Sequence, residues 1–261
     1  MTCASDRQCK ICNGRSRLFD YVDFNKSCRD GRYPFGLSGE RVAYHRCESC
    51  GFTQTNYFDD WTATDWSSRI YNDEYVVVDP CYVERRPLQS RQMVRSLFSK
   101  RATIGLDYGA GSGLMARTLR DEGWVFDACE PYGDSNMDAA NVGRYNVCTS
   151  IEVFEHTIDP AAELQRILGL CSKEKLMVVI GTNISDLEID DDRRLGWWYA
   201  APRNGHISLF SRKSLQILAN QADLDFASFG ASTHFLSRGW KRKDVARRAY
   251  VGKWLRMMRA V

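Results

Sequence analysis

The chain has 261 residues, with 36 Lys and Arg against 33 Asp and Glu for a formal charge of +3, 44% apolar residues and ten cysteines. That length suits one large α/β domain with a small appendage and leaves ample chain to bury a core, so a collagen-like, wholly disordered or tiny disulfide-scaffold protein is excluded. The opening MTCASDRQCK lacks the apolar run of a signal peptide, and aliphatic runs such as LMVVI at Leu176 are too short to span a bilayer. The chain therefore reads as a soluble, cytoplasmic protein of a reducing compartment, where cysteines need a role other than disulfides. A net charge near neutrality argues against wholesale coating of nucleic acid.

Four thiols fall in two C-x-x-C pairs, Cys9/Cys12 and Cys47/Cys50, with Gly14 and Gly51 soon after them. Two residues between thiolates let both sulfurs reach one tetrahedral ion, and the glycine permits the tight turn that follows. The stretch between the pairs has turn signals at Asp30-Gly31 and Ser38-Gly39, so it reads as loops and short strands. The expectation is a structural zinc in a zinc-ribbon-like domain over residues 1–58, where the metal supplies folding energy that a small core lacks. Reduced thiols buried as small hydrophobes are the alternative. A redox C-x-x-C is a weaker rival, because neither pair opens a helix after a core strand. Cys28 and His45 are spare ligand candidates, and residues 59–100 read as a linker with lid helices.

From Ala102 the string ATIGLDYGAGSGLMARTLRDEGWVFDACEPY reads as a strand, a glycine-rich turn, an amphipathic helix and a second strand ending at Glu130. Gly109, Gly111 and Gly113 allow positive φ and close backbone approach, and the helix opening at Leu114 aims its free N–H groups at a ligand. Glu130, seventeen residues past Gly113, is placed to take two ribose hydroxyls. This is a nucleotide site in a doubly wound, Rossmann-like α/β sheet. Read from Gly111, GSGLMA satisfies a dinucleotide fingerprint, so an NAD-dependent oxidoreductase is one reading.

Read from Asp107, the same loop is D-x-G-x-G-x-G, which resembles motif I of class I S-adenosylmethionine-dependent methyltransferases. YNVCTSIEVFEHTIDP, from Tyr145 to Pro160, resembles their strand-four motif, with Glu152, Val153, Glu155 and His156 as its E-V-x-E-H string. Asp159 reads as an N-cap with Pro160 at the first helical position, and Leu164, Ile167, Leu168 and Cys171 as an inward stripe. LMVVIGTN is strand five, and GHISLFS leads into a helix capped by Ser211, with Leu215, Leu218, Ala219 and Ala222 inward. The resemblance runs in order from Leu106 to Phe226. It implies a methyltransferase domain over 101–237 and a cofactor held by Asp107, Gly109, Gly111, Gly113, Glu130, Ser150 and Glu152. One departure stands out: only fourteen residues separate Glu130 from Tyr145, too few for the usual helix and third strand beside the adenine, and Asn136, Met137 and Asp138 lie there.

Methyl transfer is an in-line displacement, and a hydroxyl or carbon-acid acceptor also needs a base. The resemblance implies His206 and His156 near the substrate mouth, with Glu155 a hydroxyl acceptor or second base. A packing histidine and a helix-proximal charge are the bland alternatives. A zinc-binding amino-terminal domain on this core is similar to sugar C-methyltransferases acting on nucleotide-linked ketosugars, which implies a sugar, glycan or natural-product acceptor. In that family a Tyr and a Glu precede the histidine, whereas here Arg203, Asn204 and Gly205 do, and Tyr71, Tyr75 and Tyr82 are the candidates for its amino-terminal tyrosine. Trp197, Trp198, Tyr199 and Arg203 form an aromatic and cationic segment, its rings suited to stacking on a sugar or base and Arg203 to gripping a phosphate, with a tryptophan pair closing the core as the alternative. A non-catalytic zinc-ribbon interaction module on a degenerate methyltransferase core is the remaining alternative.

Residues 238–261 carry nine Lys/Arg and one Asp, +8 in 24 residues, so the other 237 residues carry a net −5. Tyr250, Val251, Trp254, Leu255 and Met258 share one helical face among basic residues, which reads as an amphipathic tail for packing, a dimer partner, a membrane surface or a polyanion.

Overall fold

A computed structural model describes residues 6–29, 32–131, 142–241 and 244–245. The strands are β1 (Arg7–Gln8), β2 (Arg15–Asp23), β3 (Arg41–Cys47), β4 (Thr53–Gln54), β5 (Ile104–Tyr108), β6 (Val125–Cys129), β7 (Val147–Ile151), β8 (Leu176–Gly181), β9 (Ser208–Leu209), β10 (Asp225–Phe229) and β11 (Thr233–Arg238). The helices are α1 (Ala63–Arg69), α2 (Tyr75–Val78), α3 (Arg85–Leu97), α4 (Leu114–Asp121), α5 (Pro160–Leu170) and α6 (Arg212–Gln221). They form two compact units: one takes the chain up to Cys81, Phe154–Ala161 and Asn183–Leu218, the other Tyr82–Val153, Ala162–Thr182 and the chain from Ala219.

The first unit is built on an antiparallel sheet of order β1-β2-β3-β4-β9. The β2/β3 hairpin runs in register from Ser16↔Cys47 to Asp23↔Arg41, with a bulge between Leu18 and Asp20. The residue left over at the bulge, Phe19, is buried, because an extra residue turns a side chain off the alternating pattern. Its core holds Phe19, Val22, Val42, Tyr44, Phe58 and Trp197. Helix α1 starts at a capping box in which Thr62 accepts from the Asp65 N–H and Asp65 accepts from the Thr62 N–H. The boundaries 1–58, 59–100 and 101–237 read from the sequence differ from these units. Residues 183–218 return to the amino-terminal sheet because β4 pairs with β9 at Thr53↔Leu209 and Gln54↔Ser208.

The second unit is a Rossmann-like α/β fold on a mixed sheet of order β10-β11-β8-β7-β5-β6. Strands β6, β5, β7 and β8 are parallel neighbours, while β11 runs antiparallel to both β8 and β10. All six residues of β8 are buried, which accounts for the unbroken LMVVI run: a central strand covered on both faces has no polar side. Among the described residues the sheet ends at β6, and Asn136, Met137 and Asp138 lie outside them.

The helix signals are placed as read. The Asp159 carboxylate accepts from the Ala161 N–H at 3.1 Å, and Ser211 Oγ accepts from the Ser214 N–H at 3.0 Å. Leu164, Ile167, Cys171, Leu215, Leu218, Ala219 and Ala222 are buried and Leu168 is half-buried. Asp30, Gly31 and the tail residues 246–261, including Tyr250, Val251, Trp254, Leu255 and Met258, lie outside the described residues. At the start of the tail, Val245 is buried in the core of the second unit, and Lys175 Nζ lies 4.5 Å from the Trp240 ring centroid. No helix of the described residues is long and apolar enough to cross a membrane.

Candidate functional site

The glycine turn between β5 and α4 belongs to the second unit. Gly109 and Ala110 both donate to the Cys129 carbonyl, at 2.8 and 3.1 Å, and Gly113 donates to the Ala110 carbonyl at 2.9 Å. Gly109, at φ +74°, has a Val153 methyl only 2.4 Å from where a Cβ would stand, so neither the backbone nor the space admits a side chain. Around Gly111, at φ +52°, a Cβ would meet nothing within 4 Å among the described residues. Glu130 leaves the tip of β6 and its carboxylate accepts from the Gly111 N–H at 2.8 Å.

Asp107 and Thr149 are register partners on β5 and β7, and Thr149 Oγ1 donates to Asp107 Oδ1 at 3.0 Å. Burial pushes the Asp107 carboxyl up to about 7, against the pull of the Thr149 hydrogen bond and with a further push from Glu130. Ser150 is buried with its hydroxyl lacking a hydrogen-bond partner among the described residues, an uncompensated polar atom on the strand beside Asp107's. Glu152 sits at φ +56° and donates its N–H to the Gly181 carbonyl at 2.7 Å, so β7 ends in a left-handed kink. Tyr108 Oη donates to the buried Glu163 at 2.6 Å, a pairing that no motif marked. Thus Asp107, Gly109, Gly111, Gly113, Glu130, Ser150 and Glu152 all fall at one end of β5, β6 and β7 or on the turn after β5.

The first unit gathers a second set. A 3-10 turn at Phe154–His156 carries Glu155 and His156. Glu155 is fully buried and accepts from the Tyr199 hydroxyl, while its carbonyl accepts from the Ile207 N–H at 2.8 Å. His206 is also buried; its Nδ1 lies 2.9 Å from the Tyr199 carbonyl and 3.6 Å from Cys28 Sγ. A carbonyl only accepts, so this contact is a hydrogen bond in the form of His206 that carries a proton on Nδ1, whose neutral ring has its lone pair on Nε2. The His156 and His206 rings meet edge to face with centroids 4.9 Å apart. One donor atom from each of Glu155, His156 and His206 lies within 4.8 Å of the others. Gly205, at φ +83°, allows this approach: a Cβ there would stand 3.0 Å from His156 Nδ1.

Of the three tyrosines singled out, Tyr71 is brought to His156, with its hydroxyl 3.3 Å from Nδ1, whereas Tyr75 is buried and Tyr82 exposed. Trp197 belongs to the core and Trp198 is exposed, so only part of that aromatic segment is available for stacking. The phosphate grip expected of Arg203 is corrected: its guanidinium is buried, donates to the Ile70 carbonyl at 2.9 Å and Asn72 Oδ1 at 3.0 Å, and pairs with Glu74 at 3.6 Å. Tyr44, which the sequence did not single out, donates to the His206 carbonyl at 2.7 Å, and burial pushes its phenol up.

The four paired cysteines converge in the same unit. Cys9 and Cys50 sulfurs are 3.6 Å apart and those of Cys12 and Cys47 3.5 Å, with all four sulfurs within 4.8 Å of one another. A tetrahedron with metal–sulfur bonds of about 2.3 Å has sulfurs roughly 3.8 Å apart, so the residues fit one zinc ion. The knuckle turns are made as the spacing implies: Gly51, at φ +74°, donates to the Cys47 carbonyl, and the Ile11 N–H points at Cys9 Sγ at 3.4 Å. Cys28 and His45 do not join this cluster.

A family model described as a methyltransferase domain matches residues 71–228. No curated protein matches the chain. Among solved structures, the plantazolicin methyltransferase BpumL in complex with SAH is 13% identical with a TM-score of 0.47, covering 68% of this chain and 94% of its own. A SAM-dependent methyltransferase of Thermotoga maritima is 13% identical with a TM-score of 0.47, covering 67% of this chain and 100% of its own. Magnesium protoporphyrin IX methyltransferase of Synechocystis with bound SAH is 15% identical with a TM-score of 0.44, covering 70% and 95%.

Proposed function

The chain belongs to the methyltransferase domain family as a class I S-adenosylmethionine-dependent enzyme, and on that premise we propose that it methylates a sugar, glycan or natural-product intermediate whose proton is removed by His206. The observation that carries the base assignment is the buried His206 Nδ1 contact to the Tyr199 carbonyl, which leaves Nε2 as the basic nitrogen. Imidazole is the side chain best suited to general-base chemistry near neutral pH. His156 and Glu155 complete the acceptor-side cluster, His156 orienting the acceptor and Glu155 offsetting the charge that His206 acquires. Support for the acceptor class is the resemblance to sugar C-methyltransferases, carried by the paired cysteines and the Gly205-His206 string.

The cofactor supplies an electrophilic methyl group on a sulfonium. The residues fit it: among the described residues no atom crowds Gly111 and none pairs with the buried Ser150 hydroxyl, and acids stand at Asp107, Glu130 and Glu152. Asp107 suits an ammonium, because a cation relieves the cost of its buried charge. Glu130 suits the ribose hydroxyls, releasing the Gly111 N–H as it turns to them. A dinucleotide pyrophosphate is a poor match for that acidic loop, which disfavours the nicotinamide reading.

Cys9, Cys12, Cys47 and Cys50 are proposed to hold a structural zinc. Four thiolates leave no position for water, so the metal takes no part in the chemistry.

The test is incubation with methyl-labelled cofactor and host cell extract, followed by mass spectrometry of the labelled products. Label in carbohydrate-containing or small natural-product species, lost with His206→Asn while cofactor binding remains, is the expected result. Label confined to protein or nucleic acid would overturn the acceptor class, and full activity of His206→Asn would overturn the base.

A further inference from the structure

Tyr199 meets the acceptor-side cluster at three points. Its hydroxyl donates to Glu155 Oε1, its carbonyl accepts from His206 Nδ1 at 2.9 Å, and its ring is tilted 58° against that of His206 with centroids 4.2 Å apart. The residue is 1% exposed, so these contacts are sheltered from water. We infer that Tyr199 is the positioning residue of the cluster, fixing the His206 tautomer through its carbonyl and holding the Glu155 carboxylate charged through its hydroxyl. The inference rests on the reading of His206 as the base.

The two contacts act on different properties of the imidazole. The carbonyl contact decides where the lone pair sits, because the ring nitrogen that donates cannot accept. The hydroxyl acts through Glu155. A carboxylate with no solvent exposure holds its charge only where its surroundings replace water, and Glu155 has the Tyr199 O–H together with two histidine rings, either able to carry a proton, each with a nitrogen within 4.8 Å. The charged carboxylate, with a donor atom within 4.8 Å of one on each histidine, then raises the proton affinity of both rings. Tyr199 thereby sets base strength without touching the acceptor. Trp197 packs in the same core as Tyr199, and Trp198 is exposed.

Tyr199→Phe separates the functions. It keeps the ring and the main-chain carbonyl and removes only the hydroxyl. The chain has four histidines, His45, His156, His206 and His234, so long-range proton–nitrogen NMR correlations resolve each ring, with His206 assigned by its loss in His206→Asn. In the unsubstituted full chain, His206 is expected as the Nδ1–H tautomer. In Tyr199→Phe the tautomer should persist while the His206 titration midpoint falls by about one pH unit or more. Glu155→Gln should lower the midpoint similarly, and the double variant should add nothing further. Amide spectra of each variant verify the fold, and because Phe fills the same ring volume, a packing role alone would leave the midpoint in place. An unmoved midpoint in Tyr199→Phe, additive shifts in the double variant, or an Nε2–H tautomer in the unsubstituted chain would each overturn the inference. The base reading fails by a separate result, retained methyl transfer in His206→Asn, which does not touch the NMR outcome.

Discussion

Asp107 and Thr149 face each other across the β5/β7 pairing, and the Thr149 hydroxyl is 3.0 Å from the buried Asp107 carboxylate. One neutral donor is weak compensation for a charge taken out of water, which is why burial wins and the carboxyl is pushed up to about 7.

The consequence is a pH-dependent stability with a definite sign. The folded chain holds the Asp107 proton more tightly than the unfolded chain does, so between about pH 4 and 7 the unfolded state loses its proton first and stability falls as pH rises. Asp107→Asn removes this cost and keeps an oxygen for Thr149. Its stability relative to the parent should grow across pH 4 to 7, by at most about 1.4 kcal/mol per pH unit, while cofactor binding weakens. Denaturant titrations at pH 4, 5.5 and 7 read the difference; a constant one removes the claim.

Gly109 and Gly111 share a left-handed backbone but differ in the space around them. Gly109→Ala drives a methyl into Val153 and should cost about 1–3 kcal/mol along with loss of cofactor binding. Gly111→Ala, with open space, should cost only about 1 kcal/mol. Equal losses in chemical denaturation would show that backbone conformation alone matters at this turn.

Lys26 is a buried cation whose Nζ donates to the Leu195 carbonyl at 2.6 Å and the Trp197 carbonyl at 2.9 Å, and burial pushes it down to about 8. Here the unfolded chain holds the proton more tightly between about pH 8 and 10.5, so the folded state gains stability as pH rises through that window. Lys26→Met should be less stable overall, because two carbonyls lose their donor, and should lack the gain. Matched thermal melts at pH 8 and 10 decide: a parallel rise in both proteins would sink the assignment.

Cys47→Ser should abolish stoichiometric zinc and destabilise the first unit by about 4 kcal/mol or more, since metal binding there contributes folding free energy. Elemental analysis with melting in the presence of a chelator measures both. A metal-free chain that melts unchanged would refute a structural ion.

The cofactor-side loop was legible because its information is local. Positive-φ glycines, a strand before them and a helix after them are set by neighbours a few residues away, and Gly109, Gly111 and Gly113 all adopt left-handed φ. The helix caps at Asp159 and Ser211 were legible for the same reason. Arg203 was misread because a guanidinium has the same composition signature whether it grips a phosphate or, as here, the Ile70 carbonyl.

The sequence by itself determined the strand, glycine turn and helix of the cofactor-side loop in their order, along with the knuckle spacing of the cysteines, since short-range sterics and hydrogen bonding write those patterns directly. Tertiary structure alone decided that His156 and His206, fifty positions apart, bring their rings to 4.9 Å, and that Tyr199 rather than Trp198 turns inward to Glu155. It also decided that β9 returns to the amino-terminal sheet through two register pairs. Such long-range pairings are settled by the joint burial of many side chains, and no local string of residues carries that sum.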